Sequence, residues 1–332
     1  MDEQFQKNTD ESQAGSGPPS PPTIAQPAPL IHSIFIGPDG LLRPGWRVTL
    51  YLVAFVILVL LISLAIKTAL HLHPHQTPPL WVFLVGEVQQ LGVALILALA
   101  FARYERRPFG TYGLPREGAF GKQFWIGVLW GLCAITLLLL VMRGIHVFYF
   151  GGVVLHGARI LKFAAFWALL FLCVGLFEEF LFRGYTQFTL AQGIRFWPAA
   201  VVVSCLFGAL HLGNPGEAWV GALGAACIGL FFCLTLSRTG SLWFAVGMHA
   251  SWDWGESFLY SVPDSGQVAP GHLLNSSFHG PRWLTGGSVG PEASVLVFVL
   301  IAILWLVFDR AYPARKQTAG LSQVPSASSF AG

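Results

Sequence analysis

FAAFWALLFLCVGLFEEFLF, Phe163–Phe182, is a 20-residue run in which every residue except Glu178 and Glu179 is apolar or small. About 20 apolar residues in a helix cross the roughly 30 Å hydrocarbon core of a bilayer, so the run reads as a membrane span. A charged side chain inserted there costs about 2.5–3.5 kcal/mol, and its default reading is functional. One stretch therefore sets both the setting, a membrane, and the place to look for chemistry.

Working outward, the rest of the chain agrees. Of 332 residues 54% are apolar and 11% charged, against roughly 25% charged in a soluble domain. The spacing of apolar runs predicts an all-α polytopic membrane protein with about eight transmembrane helices, near 46–70, 80–102, 124–142, 163–182, 197–212, 219–236, 241–258 and 294–308. Trp46, Trp81, Trp125, Trp197 and Trp219 lie near span ends, where amphipathic rings favour the interface. Gly127 and Gly131 form a GxxxG pair, read as ordinary close helix packing. The chain divides into a disordered cytoplasmic tail (1–45), N-terminal membrane helices (46–158), a core (159–260), a loop with the last membrane helix (261–312) and a second disordered tail (313–332). The tails are rich in Ser, Pro, Gln, Gly and Ala and cannot bury a core. No cleaved signal peptide is expected at the start and no prenylation signal at the end.

With eight spans and the N-terminus inside, fourteen of the nineteen Lys and Arg residues fall on the inner side, the loop from Arg103 to Lys122 carrying much of the bias. Both termini are therefore expected in the cytoplasm, in the cell membrane. The net charge of +3 gives no reason to invoke nucleic acid. Cys133, Cys173, Cys205, Cys227 and Cys233 all sit in apolar runs without a CxxC and read as packing residues.

Three groups of polar residues interrupt the apolar core. In Phe177-Glu178-Glu179-Phe180-Leu181-Phe182-Arg183, Glu179 and Arg183 are i,i+4 neighbours in the favourable order. Glu178 lies about 100° round the helix, free to point elsewhere and to act as a general base. In Phe207-Gly208-Ala209-Leu210-His211 the same spacing lets the phenyl ring restrict the imidazole. His249 and Asp253 share a helix face, so the carboxylate can orient the imidazole or join it around one oxygen. Two imidazoles and several carboxylates form a water-activating set and point to hydrolysis. Measured from the ends of the runs, Glu178 and His211 differ in depth by about 12 Å at 1.5 Å per residue. A fourth helix continuing to about Gln192, entered nearer Trp167, would reduce this offset, and the motif order is preferred to the span boundaries.

Glu-Glu-x-x-x-Arg, then Phe-x-x-x-His, then His-x-x-x-Asp, in this order on successive membrane helices, resembles the CPBP family of intramembrane proteases. That family includes the type II CAAX prenyl endopeptidases and the bacterial Abi, or bacteriocin self-immunity, proteins. The resemblance covers about residues 163–258 and implies a glutamate-dependent endopeptidase acting on a peptide or lipidated protein at the bilayer. By it, Glu178 and His211 would activate water, His249 and Asp253 would serve the oxyanion, and Glu179, Arg183 and Phe207 would support them. Asp253 stands where the eukaryotic CAAX-processing members have Asn. An ionised carboxylate disfavours a neighbouring oxyanion, so Asp253 is expected to orient His249 or to hold a metal. His211, His249 and Asp253 are the candidate ligands for a divalent metal such as zinc. No His-Glu-x-x-His is present, and the favoured reading requires no cofactor.

Other polar features remain. The loop His71-Leu72-His73-Pro74-His75 reads as a connector, and Glu87, Gln89 and Gln90 as a polar cluster lining a cavity or joining helices. The Gly- and Pro-rich stretch from Ser261 to Glu292 is either a gate over the site or a surface loop. Two other function classes fit the composition: a non-enzymatic immunity or scaffold protein that keeps the site as a binding pocket, and a transporter using Glu87 and the Glu178 cluster as a proton relay.

Overall fold

The computed structural model describes residues 30–71, 79–214, 216–268 and 270–314. Most of both expected tails, and the loop residues His73 and His75, lie outside the described residues. Within the stretch expected to be an N-terminal tail, the apolar residues around Ile34 and Phe35 form a short helix, α1 (Leu30–Phe35). A turn follows, closed by the Gly37 N–H on the Leu41 carbonyl at 2.8 Å and capped by the Asp39 carboxylate.

From Leu42 onward the chain forms a second unit, built almost entirely of helices. α2 (Pro44–Ala69) begins with a proline, whose missing N–H costs nothing in the first turn. α3 (Leu80–Tyr104) and α4 (Lys122–Gly144) follow, then a two-residue strand β1 (Phe148–Tyr149). α5 (Ala158–Glu179) runs through a π-helical turn (Phe180–Thr186) into α6 (Gln187–Ile194). Next come α7 (Phe196–His211), α8 (Trp219–Thr239) and α9 (Trp243–Trp254), the last continuing into a second π-helical turn (Gly255–Tyr260). Strand β2 (Ser277–Phe278), the single turn α10 (Arg282–Thr285) and α11 (Leu296–Ala311) complete the described chain.

Each of the eight expected apolar runs is helical. Among the described residues, five stretches are long and apolar enough to cross a membrane: α2, α3, α4, α8, and the helical stretch of 37 residues formed by α5 and α6. The others are shorter, with 16 residues in both α7 and α11. The protein is thus a mostly helical, polytopic membrane protein. Among the described residues, the departures from an all-α fold are the antiparallel pair β1–β2, with Phe148 opposite Phe278, and two isolated bridges, Val153 with Leu274 and Asp264 with Gln267.

Packing separates the helices into an outer and an inner set. Only 11% of the apolar window of α2 is buried, against 56% for α8. The exposed large side chains of α2, such as Leu60, Leu61 and Leu64, form a face suited to lipid rather than water. Small residues bring the inner helices together. A Cβ on Gly127 or Gly131 of α4 would collide with the α9 backbone at Phe244 or Met248, and one on Gly247 of α9 with Phe124. The GxxxG pair is therefore a packing seam, and its partner is the helix that carries His249.

The first turn of α2 is fixed by charge. Arg47 is 2% exposed and pairs with the buried Glu105 at 3.0 Å. The same carboxylate accepts from the Tyr112 hydroxyl at 3.0 Å and from the Tyr185 hydroxyl at 2.7 Å. One carboxylate thus ties α2 and the end of α3 to the π-helical turn that follows α5.

Candidate active site

The three polar groups predicted from sequence meet on one cavity of about 600 Å³, lined by Glu178, His211, His249 and Asp253 and, from α3, by Glu87 and Gln90. The offset in depth expected between Glu178 and His211 rests on a run ending at Phe182, whereas helix continues through the kinked turn to Ile194. α6 and α7 form a hairpin around Arg195. Glu178 lies about 24 Å before Ile194, and His211 about 22 Å beyond Phe196, at 1.5 Å per residue. Counted from that hairpin the two residues lie at similar distances along the chain, and both line the cavity.

Adjacent carboxylates take opposite environments. Glu179 is fully buried, and its Oε1 accepts from Arg183 Nη1 at 3.1 Å and from His249 Nδ1 at 2.9 Å. The Glu178 side chain keeps 24% of its exposure and turns to the cavity. The π-helical turn, the kind of irregularity often found at functional sites, carries Arg183 back beneath Glu179. Its guanidinium lies 4.2 Å from the Phe207 ring centroid and 5.8 Å from that of Phe232. Room for it comes from Gly229 on α8, where a Cβ would collide with Arg183 Nη2. At the same turn a Cβ on Gly184 would press into the Phe180 ring at 2.7 Å, so the kink needs a residue without one.

The two histidines are held differently. His211 Nδ1 is 2.8 Å from the Phe207 carbonyl oxygen. A carbonyl only accepts, so Nδ1 carries the hydrogen and, in the neutral ring, Nε2 keeps its lone pair. The Phe207 ring packs edge-on to this imidazole with centroids 4.5 Å apart. His249 is stacked on Phe232 with ring planes 21° apart and is fixed by Glu179 through Nδ1. Its Nε2 faces Glu178 at 3.7 Å and Asp253 at 3.6 Å. A proton on that nitrogen would lie between two carboxylates.

The stretch from Ser261 to Glu292 walls this cavity. Asp264, Ser265, Gln267, Val268 and Glu292 line it, and the stretch is anchored by β2, by Leu273 N–H on the Phe258 carbonyl at 2.8 Å and by Trp167 Nε1 on Pro270 at 3.2 Å. Burial, and next to it the Glu292 carboxylate, push the Asp264 carboxyl up to about 8. Among the described residues, one group of three possible metal donors falls within 4.8 Å of one another: Asp253, Asp264 and Glu292. His211 and His249 are not in it. Of the polar cluster on α3, Gln89 turns away to Ser63 and the Val59 carbonyl of α2. Sequence reasoning missed Phe232, Gly229, Asp264 and Glu292. For the two acids the only signal was their presence in an otherwise Gly- and Pro-rich stretch.

The fold and site together define a polytopic helical membrane protein in which buried carboxylates and imidazoles converge on a cavity. Residues 160–255, from the start of α5 to the end of α9, match the Rce1-like family of type II CAAX prenyl endopeptidases. This segment is a domain of that family, and membership implies an intramembrane protease. No curated protein matches the chain.

Proposed function

We propose that the protein is an intramembrane endopeptidase in which Glu178 and His211 activate water and His249, oriented by Glu179 and Asp253, serves the oxyanion. The observation that carries this reading is the split between the paired glutamates. Glu179 is used up in holding Arg183 and His249, which leaves Glu178 facing the cavity beside the same imidazole.

In this mechanism a water is held between the Glu178 carboxylate and His211 Nε2. Glu178 takes its proton as the oxygen attacks the scissile carbonyl carbon, and the carbonyl electron pair moves onto oxygen. His249 Nε2–H donates to that oxyanion. Collapse re-forms the carbonyl and breaks the C–N bond, and the proton held by Glu178 passes to the departing amine. The products are a carboxylic acid and an amine, and atoms and charge balance. Asp253, turned toward His249 Nε2 at 3.6 Å, orients that ring rather than meeting the oxyanion itself. No step is assigned to zinc. A zinc site needs its ligands gathered within about 2.0–2.3 Å of one ion, and His211 is not grouped with His249 and Asp253 at donor spacing.

In the membrane we place eight spans, with α7, α9 and α11 as short members next to the cavity and both termini in the cytoplasm. Short helices and π-helical backbone are tolerated at membrane depth where they line a water-filled cavity. Substrates are peptides or lipidated proteins reaching the site from the bilayer. The test is turnover of membrane peptides, read by mass spectrometry with and without chelator. Wild type should cleave in both conditions and Glu178→Ala in neither. Equal cleavage by the variant would remove the proposal.

A further inference from the structure

The stretch that walls the cavity also builds a structure that the chemistry does not use. Residues 147–154, between α4 and α5, run antiparallel to residues 273–279. Phe148 pairs with Phe278, Tyr149 with Ser277 and Val153 with Leu274. Three residues separate Tyr149 from Val153 but two separate Leu274 from Ser277, so the ribbon contains a bulge. It falls at Gly151, where a Cβ would strike the Asn275 carbonyl. The Val154 N–H on the Leu273 carbonyl at 2.8 Å and the His279 N–H on the Val147 carbonyl at 3.0 Å close the two ends.

The strands present different surfaces. The side chains exposed on the first include Phe150, Val153 and Val154, all apolar, and those exposed on the second are Asn275, Ser277 and His279, all polar. The apolar set is continuous with the exposed apolar surface of the two membrane-length helices that flank it, at Val141 and Ile145 where α4 ends and at Leu161 in the first turn of α5. Charge is segregated in the same way. From Arg143 to Lys162 the chain has the cations Arg143, Arg159 and Lys162 and no carboxylate. From Ser261 to Glu292 it has one exposed cation, Arg282, and two carboxylates, Asp264 and Glu292, both of which line the cavity. Among the described residues no salt bridge engages these four cations. Arg143 lies instead over the Tyr149 ring, and Arg159 and Lys162 over that of Phe163.

From this arrangement we infer that the ribbon is a membrane-surface element whose partner is the phospholipid bilayer. The apolar side chains of its first strand meet the acyl boundary, the polar side chains of its second face water, and the four cations contact lipid phosphates. A two-stranded ribbon has open edges whose N–H and C=O groups would go unsatisfied in hydrocarbon, which confines it to the headgroup layer. Long basic side chains reach phosphate from apolar surroundings by extending their stems, and the bond formed is charge-assisted. The exposed Trp283, four residues past His279, suits the same level. The inference rests on the membrane setting of the chain and not on hydrolysis, so its test needs no turnover.

The experiment uses the full chain with its five cysteines replaced by alanine, carrying a nitroxide at Phe150→Cys, Val153→Cys, Asn275→Cys or Ser277→Cys. Each variant is reconstituted in vesicles of phosphatidylcholine and phosphatidylglycerol. Collision with oxygen, which dissolves in lipid, is compared with collision with a nickel chelate, which stays in water. The oxygen-to-nickel ratio at 150 and 153 should exceed that at 275 and 277 by at least about threefold. Adding Arg159→Gln/Lys162→Gln should lower the ratio at 153 by about half. Equal ratios at the four sites would overturn the inference, placing the ribbon in water if low and in hydrocarbon if high. Poor access of both probes to 150 and 153 would overturn it too, because protein would then cover that face. A ratio at 153 unmoved by loss of the two cations would overturn their assignment to phosphate. A photoreactive benzophenone side chain at Val153 or Ser277 of the otherwise native chain gives the same answer without the cysteine replacements. Phospholipid adducts are expected at the first position and not the second, and their absence at both would contradict the inference.

Discussion

At the scale of single residues, Glu178 and Glu179 are chemically identical neighbours with different tasks, and substitutions should separate them. Glu178→Gln should cut turnover by at least about a hundredfold, the usual range for a lost general base, with no change in thermal unfolding in detergent. Glu179→Gln should do the reverse first. It leaves the Arg183 guanidinium buried and uncompensated, a loss of about 3–5 kcal/mol, seen as a large drop in unfolding temperature. Gly229→Ala should act on the same pair from the other side, since its methyl would displace Arg183 Nη2. A cost of about 1–3 kcal/mol is expected in the same unfolding measurement. The Glu179–Arg183 contact was legible in the sequence because i,i+4 spacing on a helix is local. The Glu179–His249 bond was not, because it joins residues 70 positions apart and depends on how α9 docks.

At the scale of elements, the helices were visible in the apolar runs but their ends were not. The run Phe163–Phe182 stops where Arg183 begins, yet the helix continues through the π-helical turn to Ile194. Burial of Arg183 against Glu179, Phe207 and Phe232 is what allows this, and hydropathy alone carries no trace of it. The depth offset expected for Glu178 and His211 followed from that boundary. Gly127 and Gly131 were legible as a packing seam, whereas the identity of the partner, α9, required the fold. Gly131→Leu should therefore weaken the α4–α9 contact and displace His249 with it. Loss of stability by about 3 kcal/mol or more and loss of turnover should appear together, unlike the clean separation expected for Glu178→Gln.

At the scale of the whole molecule, composition reported the membrane, and the basic loops predict an orientation that labelling can test. Single cysteines placed in the loop from Arg103 to Lys122 should be labelled by a membrane-impermeant reagent only from the cytoplasmic side, and one at Lys162 only from the opposite side. Labelling of both from one side would refute the eight-span arrangement. What the sequence could not carry was the cavity, since its walls come from α2, α3, α5, α7, α8, α9, α11 and the stretch from Ser261 to Glu292, which only the folded chain brings together.

The central claim is that Glu178 is the base of a peptide hydrolase in the bilayer. The most direct measurement is peptide turnover by purified wild type and Glu178→Gln in the same detergent, with unfolding temperature recorded for both. Cleavage by wild type that is lost in a variant of equal stability is the predicted result. Cleavage that survives in the variant, or none from a stably folded wild type across a membrane-peptide library, would contradict it.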